Sequence, residues 1–275
     1  FAFGPQGWRF EAEARGASGF LPLANAELSD GAALLSFSST GGLSGAMTLR
    51  AATLSDKAAS ARFNPLEGAG AITLANGVWR GRVNAHDGGG TQLGVATFQH
   101  DMAKGEGSAH VDAPLIFAEG KLQPERLSPL LSLLKQAAGR AEFQGDFGWN
   151  SAGLAAQGGT LAVRDFSFLT PMGRATAVDT TLNLTSLLPP ATAPGQELKI
   201  GNIAWTIPMS DVALRFAFST TSLRVEQLGL AFATGRVALT PFGFNPSAPG
   251  SFSSTAALTG ISLEPLIAAS NLSGK

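Results

Sequence analysis

The chain has 275 residues, with 19 basic against 20 acidic side chains and a formal charge of −1, which excludes a general polyanion binder. Charged residues make up only 14% and hydrophobic residues 44%, with 34 glycines and a mean hydropathy of +0.15, so an ordinary charged shell is excluded and apolar surface is left facing solvent or a cavity. Cysteine is absent, which excludes disulfides, thiolate metal sites and a cysteine nucleophile, and no run of 18 apolar residues reads as a membrane-spanning helix.

Period-two alternation in short runs closed by Gly, Asn, Asp or Pro dominates the chain and predicts an all-β protein. Trp8, Phe10, Ala12 and Ala14 alternate with Arg9, Glu11, Glu13 and Arg15, giving a strand with one apolar and one solvated face. Strands are predicted next at 32–40, 45–53, 69–75, 78–86, 91–100, 108–112 and 114–119, with Gly88, Gly89 and Gly90 as a hairpin turn. Leu127, Leu130, Leu131, Leu134 and Ala138 then recur at helical spacing and predict an amphipathic helix near 125–138, between Pro124 and Gly139.

Strict alternation returns in Ala141, Phe143, Gly145, Phe147 and Trp149. Strands are predicted from there at 159–169, 174–184, 197–207, 211–219, 222–233, 236–240 and 251–263, with a short apolar helix near the C-terminus. The proline-rich stretch 189–195 reads as an ordered turn or edge loop. A weak repeat links 181–188 and 260–267, each expected to end a strand in a short apolar element. About fifteen strands at ~4.8 Å spacing would span roughly 70 Å.

The ingredients of catalysis are thin. His86 and His100 are each followed by an aspartate, Asp87 and Asp101, at hairpin ends where polar residues are expected for solvation, and His110 stands alone. Asp146 and Asp165 sit among aromatic residues, with outward-pointing strand side chains as the simpler reading. No nucleophile elbow, phosphate loop, zinc-protease motif or calcium loop is present. The chain is therefore expected to be no enzyme, with no catalytic residues, metal or cofactor, and with neither nucleic acid nor nucleotide as partner.

What stands out is an aromatic and aliphatic load without matching charge: Phe143, Phe147, Trp149, Phe166, Phe168, Ile203, Trp205, Ile207, Leu214, Phe216, Phe218, Leu228, Leu230 and Phe232. A β-sandwich core would use them, but short successive connections favour a long, strongly twisted antiparallel meander whose apolar face lines an open groove. Two acyl chains of about sixteen methylenes each, at ~0.8 kcal/mol per CH₂, would gain roughly 25 kcal/mol from burial there. These fourteen residues are the expected lipid-binding set, and the predicted helix is expected to plug or cap part of the groove.

From Leu122 onward the chain resembles the YdbH-like intermembrane phospholipid transport proteins of the AsmA-like group. The resemblance rests on Leu122-Gln-Pro-Glu-Arg-Leu-Ser-Pro-Leu-Leu131, Gly139-Arg-Ala-Glu-Phe143 with Trp149, Leu182-Asn-Leu-Thr-Ser-Leu-Leu188, and most specifically Thr192-Ala-Pro-Gly-Gln-Glu-Leu-Lys-Ile200. Leu223-Arg-Val-Glu-Gln227, Gly235-Arg-Val and Pro241-Phe242 complete it, and Thr234-Gly235 stands where the family often has two glycines. The first 120 residues match in style alone.

The resemblance implies a taco-like β-groove that conducts phospholipids between inner and outer membranes by shielding their acyl chains, with head groups toward solvent. It implies a location in the Gram-negative periplasm, partner proteins at both membranes, and an inner-membrane tether outside this segment. Residues 1–275 are then expected to be one continuous groove segment of a longer protein, with N-terminal strands at 1–121, the helix at 122–138 and the family-like strands at 139–275. An older name for the family, a dicarboxylate transport domain, does not suit an apolar lining. The competing readings are a structural or adhesive β-solenoid with a dry core and no lipid, a hydrolase in which the histidines or Asp146 and Asp165 converge, and an outer-membrane barrel. The barrel conflicts with zero tyrosines and 15 prolines.

Overall fold

A computed structural model describes residues 2–4, 7–22, 24–39, 41–171, 173–245, 248 and 252–269. Among them are eighteen strands and two short α-helices, so the protein is all-β. The chain divides into two compact units, one made of Phe1–Leu115, Glu125–Ser132 and Phe143–Gln157, the other of Ile116–Pro124, Leu133–Glu142 and Gly158–Lys275.

The first unit is an antiparallel meander in which each strand pairs with the next: β1 (Ala2–Gly4), β2 (Gly7–Leu21), β3 (Ala26–Ser38), β4 (Ser44–Asp56), β5 (Leu66–Ala75), β6 (Val78–Asp87), β7 (Gln92–Asp101) and β8 (Glu106–Phe117). Alternation makes these strands: on β8, Glu106, Ser108, His110 and Asp112 are exposed while Gly107, Ala109 and Val111 are half-buried. The two strands expected at 108–112 and 114–119 are this one strand. Pro114 is tolerated because it lies beyond the last β7 pair, Val95–Asp112, where that edge asks for no further N–H.

Strands β9 (Lys135–Asn150) and β10 (Gly153–Thr170) pair with each other, and each contributes residues to both units. The second unit continues through β11 (Gly173–Leu187), the short β12 (Pro190–Thr192), β13 (Gln196–Ala204), β14 (Met209–Ser219), β15 (Ser222–Phe232), β16 (Gly235–Leu239), the short β17 (Phe242–Phe244) and β18 (Ala256–Thr259). Its pairings are antiparallel, in the order β10, β11, β13, β14, β15, β16, β18, with β12 on β11 and β17 on β15.

The helix expected near 125–138 is mostly not a helix. Helix α1 covers only Pro124–Leu127, a 3-10 turn follows at Pro129–Leu131, and β9 has begun by Lys135. Pro129 explains the break: it forces the residue before it out of the helical region, and Ser128 is extended at φ −152° and ψ 136°. Ser128 then caps the new turn by accepting from the Leu130 N–H at 3.1 Å. The predicted short C-terminal helix is α2 (Glu264–Ala269). The repeat does not carry over into structure, because 181–187 belongs to strand β11 whereas 260–263 is a loop leading into α2.

Bulges recur at matching levels of neighbouring strands. In the first unit the register shifts on β2 between Ala14 and Ala17, on β3 between Ser29 and Ala32, and on β4 between Leu49 and Ala52, and these segments pair with one another through Ala17–Gly31 and Ala32–Ala51. In the second unit Asp165, Ala177 and Asp211 adopt φ of 47°, 52° and 51° at corresponding levels of β10, β11 and β14. A bulge bends its strand and adds twist, so each unit's strands bend along a shared line.

Candidate functional site

Directly paired residues of adjacent strands share a face, so the register assigns side chains to faces without further assumption. In the second unit Val163, Thr180, Leu198, Leu214, Leu228 and Leu239 pair successively across six strands. A second row is Phe166, Val178, Ile200 and Val212, and a third is Phe168, Ala175, Ile203, Met209 and Phe232. The bulges preserve the face. Ala175 and Val178 are three residues apart, yet both are buried, at 5% and 6% exposure, because the extra residue re-phases the alternation.

Toward the other strand ends, Phe216 pairs with Val225 and Val225 with Phe242, while Phe218 pairs with Leu223 and Leu223 with Phe244. Leu230 pairs with Val237. The intervening positions are polar: Asp179 pairs with Lys199, and Thr181, Glu197, Arg215 and Gln227 form one cross-strand row. This unit therefore has one apolar and one polar face. Phe166 is buried at 7% exposure, while Phe168, Ile203, Leu214, Phe216, Phe218, Leu228, Leu230 and Phe232 stay half-buried on the apolar face.

Trp205 and Ile207 lie elsewhere. Strand β13 ends at Ala204, and both residues occupy the bend before β14, where the Trp205 N–H donates to the Ile203 carbonyl at 3.2 Å. Pro208 supplies no N–H for a longer strand, and the Trp205 side chain is half exposed.

Phe143, Phe147 and Trp149 belong to the first unit, on β9. Its pairings give the rows Phe10, Phe37, Gly45, Leu74, Trp79, His100, Gly107; Ala12, Leu35, Met47, Ile72, Gly81, Phe98, Ala109; and Ala14, Ala33, Leu49, Gly70, Val83, Ala96, Val111. Aromatic rings cover three of the four glycines of these rows: a Cβ on Gly45 would collide with the Phe37 ring, one on Gly81 with the Phe98 ring, and one on Gly107 with the Trp149 ring, whereas at Gly70 the neighbouring backbone of Arg82 and Val83 leaves no room. Trp149 reaches across Gly107 to donate its indole N–H to His100 Nδ1 at 3.2 Å. By alternation Phe143 and Phe147 share its face.

Apart from Phe143, Phe147 and Trp149, this face escaped the residue list read from the sequence. Its signal was present in the period-two parity of the predicted strands, but glycines occupy positions where a large side chain marks a lining residue.

Polar side chains gather at one set of turns of the first unit. The Arg62 guanidinium holds the Asp56 carboxylate at 2.6 Å, and that carboxylate also accepts the Ala58 and Arg62 backbone N–H groups. Hydrogen bonding from Arg62 holds the Asp56 carboxyl well below the usual carboxylate range, and its side chain is only 1% exposed. Asn64 donates to the carbonyls of Glu125 and Arg126, Ser128 donates to that of Arg62, and Arg126 meets buried Asp87 at 2.6 Å. The first turn of the predicted helix is thus fastened to the β4–β5 and β6–β7 connections.

The titratable candidates do not converge. His100 is on the apolar face, His86 pairs across strands with Glu67, and His110 contacts the well exposed Asp146 at 2.8 Å on the polar face, while Asp165 is an exposed bulge residue of the other unit. Among the described residues no group of His, Asp and Glu is arranged to hold a metal ion, and no helix is long and apolar enough to cross a membrane.

The model of one protein family, described as YdbH-like, intermembrane phospholipid transport protein YdbH, matches residues 4–274. The match thus includes the N-terminal strands as well as the region that carried the resemblance. No curated protein and no solved structure matches the chain.

Proposed function

The chain belongs to the YdbH-like family, one of intermembrane phospholipid transport, and from that membership we propose that its apolar sheet faces carry phospholipid acyl chains between inner and outer membranes. The observation that carries the reading is the unbroken cross-strand row from Val163 to Leu239, half-buried and apolar at every position except Thr180, opposite a face rich in charge. Methylenes laid along such rows gain about 0.8 kcal/mol each, independent of head-group chemistry and with no preferred stopping point. That is what a conduit needs.

On this reading Phe143, Phe147, Trp149, Phe166, Phe168, Ile203, Leu214, Phe216, Phe218, Leu228, Leu230 and Phe232 contact acyl chains, with Trp205 and Ile207 at a strand-end margin. The shared bends along each unit's bulges support a concave apolar side. The protein works in the periplasm with partner proteins at the two membranes and tethered to the inner one, and direction comes from those partners or from lipid gradients.

The test is uptake of a photo-crosslinkable phospholipid by the purified chain. Phe216→Asp places a charge among Val225 and Phe242 and should abolish crosslinking while circular dichroism stays that of a folded sheet. Crosslinking that persists in this variant and in Leu228→Asp would contradict the proposal.

A further inference from the structure

We infer that the strand-end row of the first unit holding Trp79 and His100 is where the phosphodiester and ester oxygens of a phospholipid are bound, an inference that rests on the transport reading. The row sits beside the turns: Trp79 is the second residue of β6 and His100 the penultimate residue of β7, and the two are directly paired. It is aromatic along its length, with Phe10 stacked on Phe37 at 6.4 Å, Phe37 edge-on to Trp79 at 6.2 Å and His100 stacked on Trp149 at 6.2 Å.

The proton positions follow from donor chemistry. An indole nitrogen only donates, so His100 Nδ1, which receives the Trp149 N–H, is an acceptor, and in the neutral ring the proton is on Nε2. Neither that Nε2–H nor the Trp79 indole N–H has a hydrogen-bond partner among the described residues. Two N–H donors on adjacent, half-buried cross-strand residues, neither engaged by another described residue, suit a group made only of acceptors.

The two neighbouring rows, running from Ala12 to Ala109 and from Ala14 to Val111, contain no side-chain N–H or O–H and suit acyl chains alone. Polarity thus changes from acyl-compatible to ester-compatible over a single step along the strands. Trp and His, with an apolar body and a polar edge, are the side chains that fit such a boundary.

The experiment compares uptake of phosphatidylglycerol and of diacylglycerol bearing the same pyrene-labelled chain, from vesicles of phosphatidylethanolamine and phosphatidylglycerol. The wild-type chain should prefer the phospholipid, and the pair Trp79→Phe with His100→Phe should lower that preference about tenfold, the single Trp79→Phe about threefold. Unchanged preference, or equal loss of both lipids, would overturn the inference by reducing the rings to packing. Glycerol 3-phosphate shifting the Trp79 and His100 nitrogen resonances as strongly as the lipid would overturn it in favour of a free-phosphate site. A wild-type chain that takes up neither lipid overturns the transport reading itself, a result distinct from the other three.

Discussion

Arg62 and Asp56 show how much a single pair contributes at the rim of the first unit. The guanidinium contacts both carboxylate oxygens and donates to the Ala24 carbonyl at 2.6 Å, tying the β2–β3 and β4–β5 connections together. Asp56→Asn should cost about 2 kcal/mol at neutral pH, read from denaturant unfolding. Because the folded carboxyl is held below its ordinary value of about 4, its contribution is complete above that pH and is lost as acid protonates it. The melting temperature of the wild type should therefore fall more steeply than that of Asp56→Asn between about pH 5 and pH 3. None of this was legible in the sequence, where Lys57 stands next to Asp56 and nothing marks Arg62 as its partner. The glycines were equally silent: nothing in the letters marks Gly81 as the seat of the Phe98 ring, yet Gly81→Leu should displace that ring and cost about 2 kcal/mol.

At the scale of elements, a strand period read directly gave the right structure, whereas a helical period spread over a mixed segment did not. The stripe Leu127, Leu130, Leu131, Leu134 and Ala138 runs through Pro129, and the proline decides the matter: helix before it, a 3-10 turn at it, strand after it. Leu130, exposed at 69%, shows that the stripe has no continuous partner face. In the second unit Gln123 acts as a surrogate strand. Its Nε2 donates to the carbonyls of Ala118 at 2.8 Å and Ala137 at 3.0 Å, and its Oε1 accepts the Ala137 N–H at 2.8 Å. Gln123→Met would keep the volume and leave the buried Ala137 backbone unpaired, so a loss of about 2 kcal/mol is expected in thermal or denaturant unfolding. The glutamine of the Pro-Gly-Gln segment plays a similar part, with Gln196 accepting the Asn183 N–H at 2.6 Å and donating to the Ala193 carbonyl at 2.9 Å. These two glutamines give physical content to sequence segments that carried the family resemblance.

For the molecule as a whole, alternation was enough to read an all-β antiparallel meander, and the scarcity of charge enough to read an unusual apolar face. Parity alone puts Leu214, Phe216 and Phe218 on one side of β14, and the paired residues Leu228, Val225 and Leu223 of β15 agree with it. What parity does not supply is strand length and phase across bulges, which is why Trp205 and Ile207 fall beyond β13 and why Ala175 and Val178 share a face three residues apart. Trp205→Glu, at a half-exposed bend, should accordingly change stability by less than about 1 kcal/mol and reduce lipid uptake far less than Phe216→Asp.

Whether the apolar faces hold phospholipid is decided by native mass spectrometry, with lipid extraction, of the chain purified from a bacterial envelope fraction. Bound phospholipid is expected on the wild type, and its loss from a Phe216→Asp variant that still folds. A wild-type chain that emerges lipid-free and stays so after incubation with phospholipid vesicles would contradict acyl-chain carriage, and would return the face to the role of a dry structural surface.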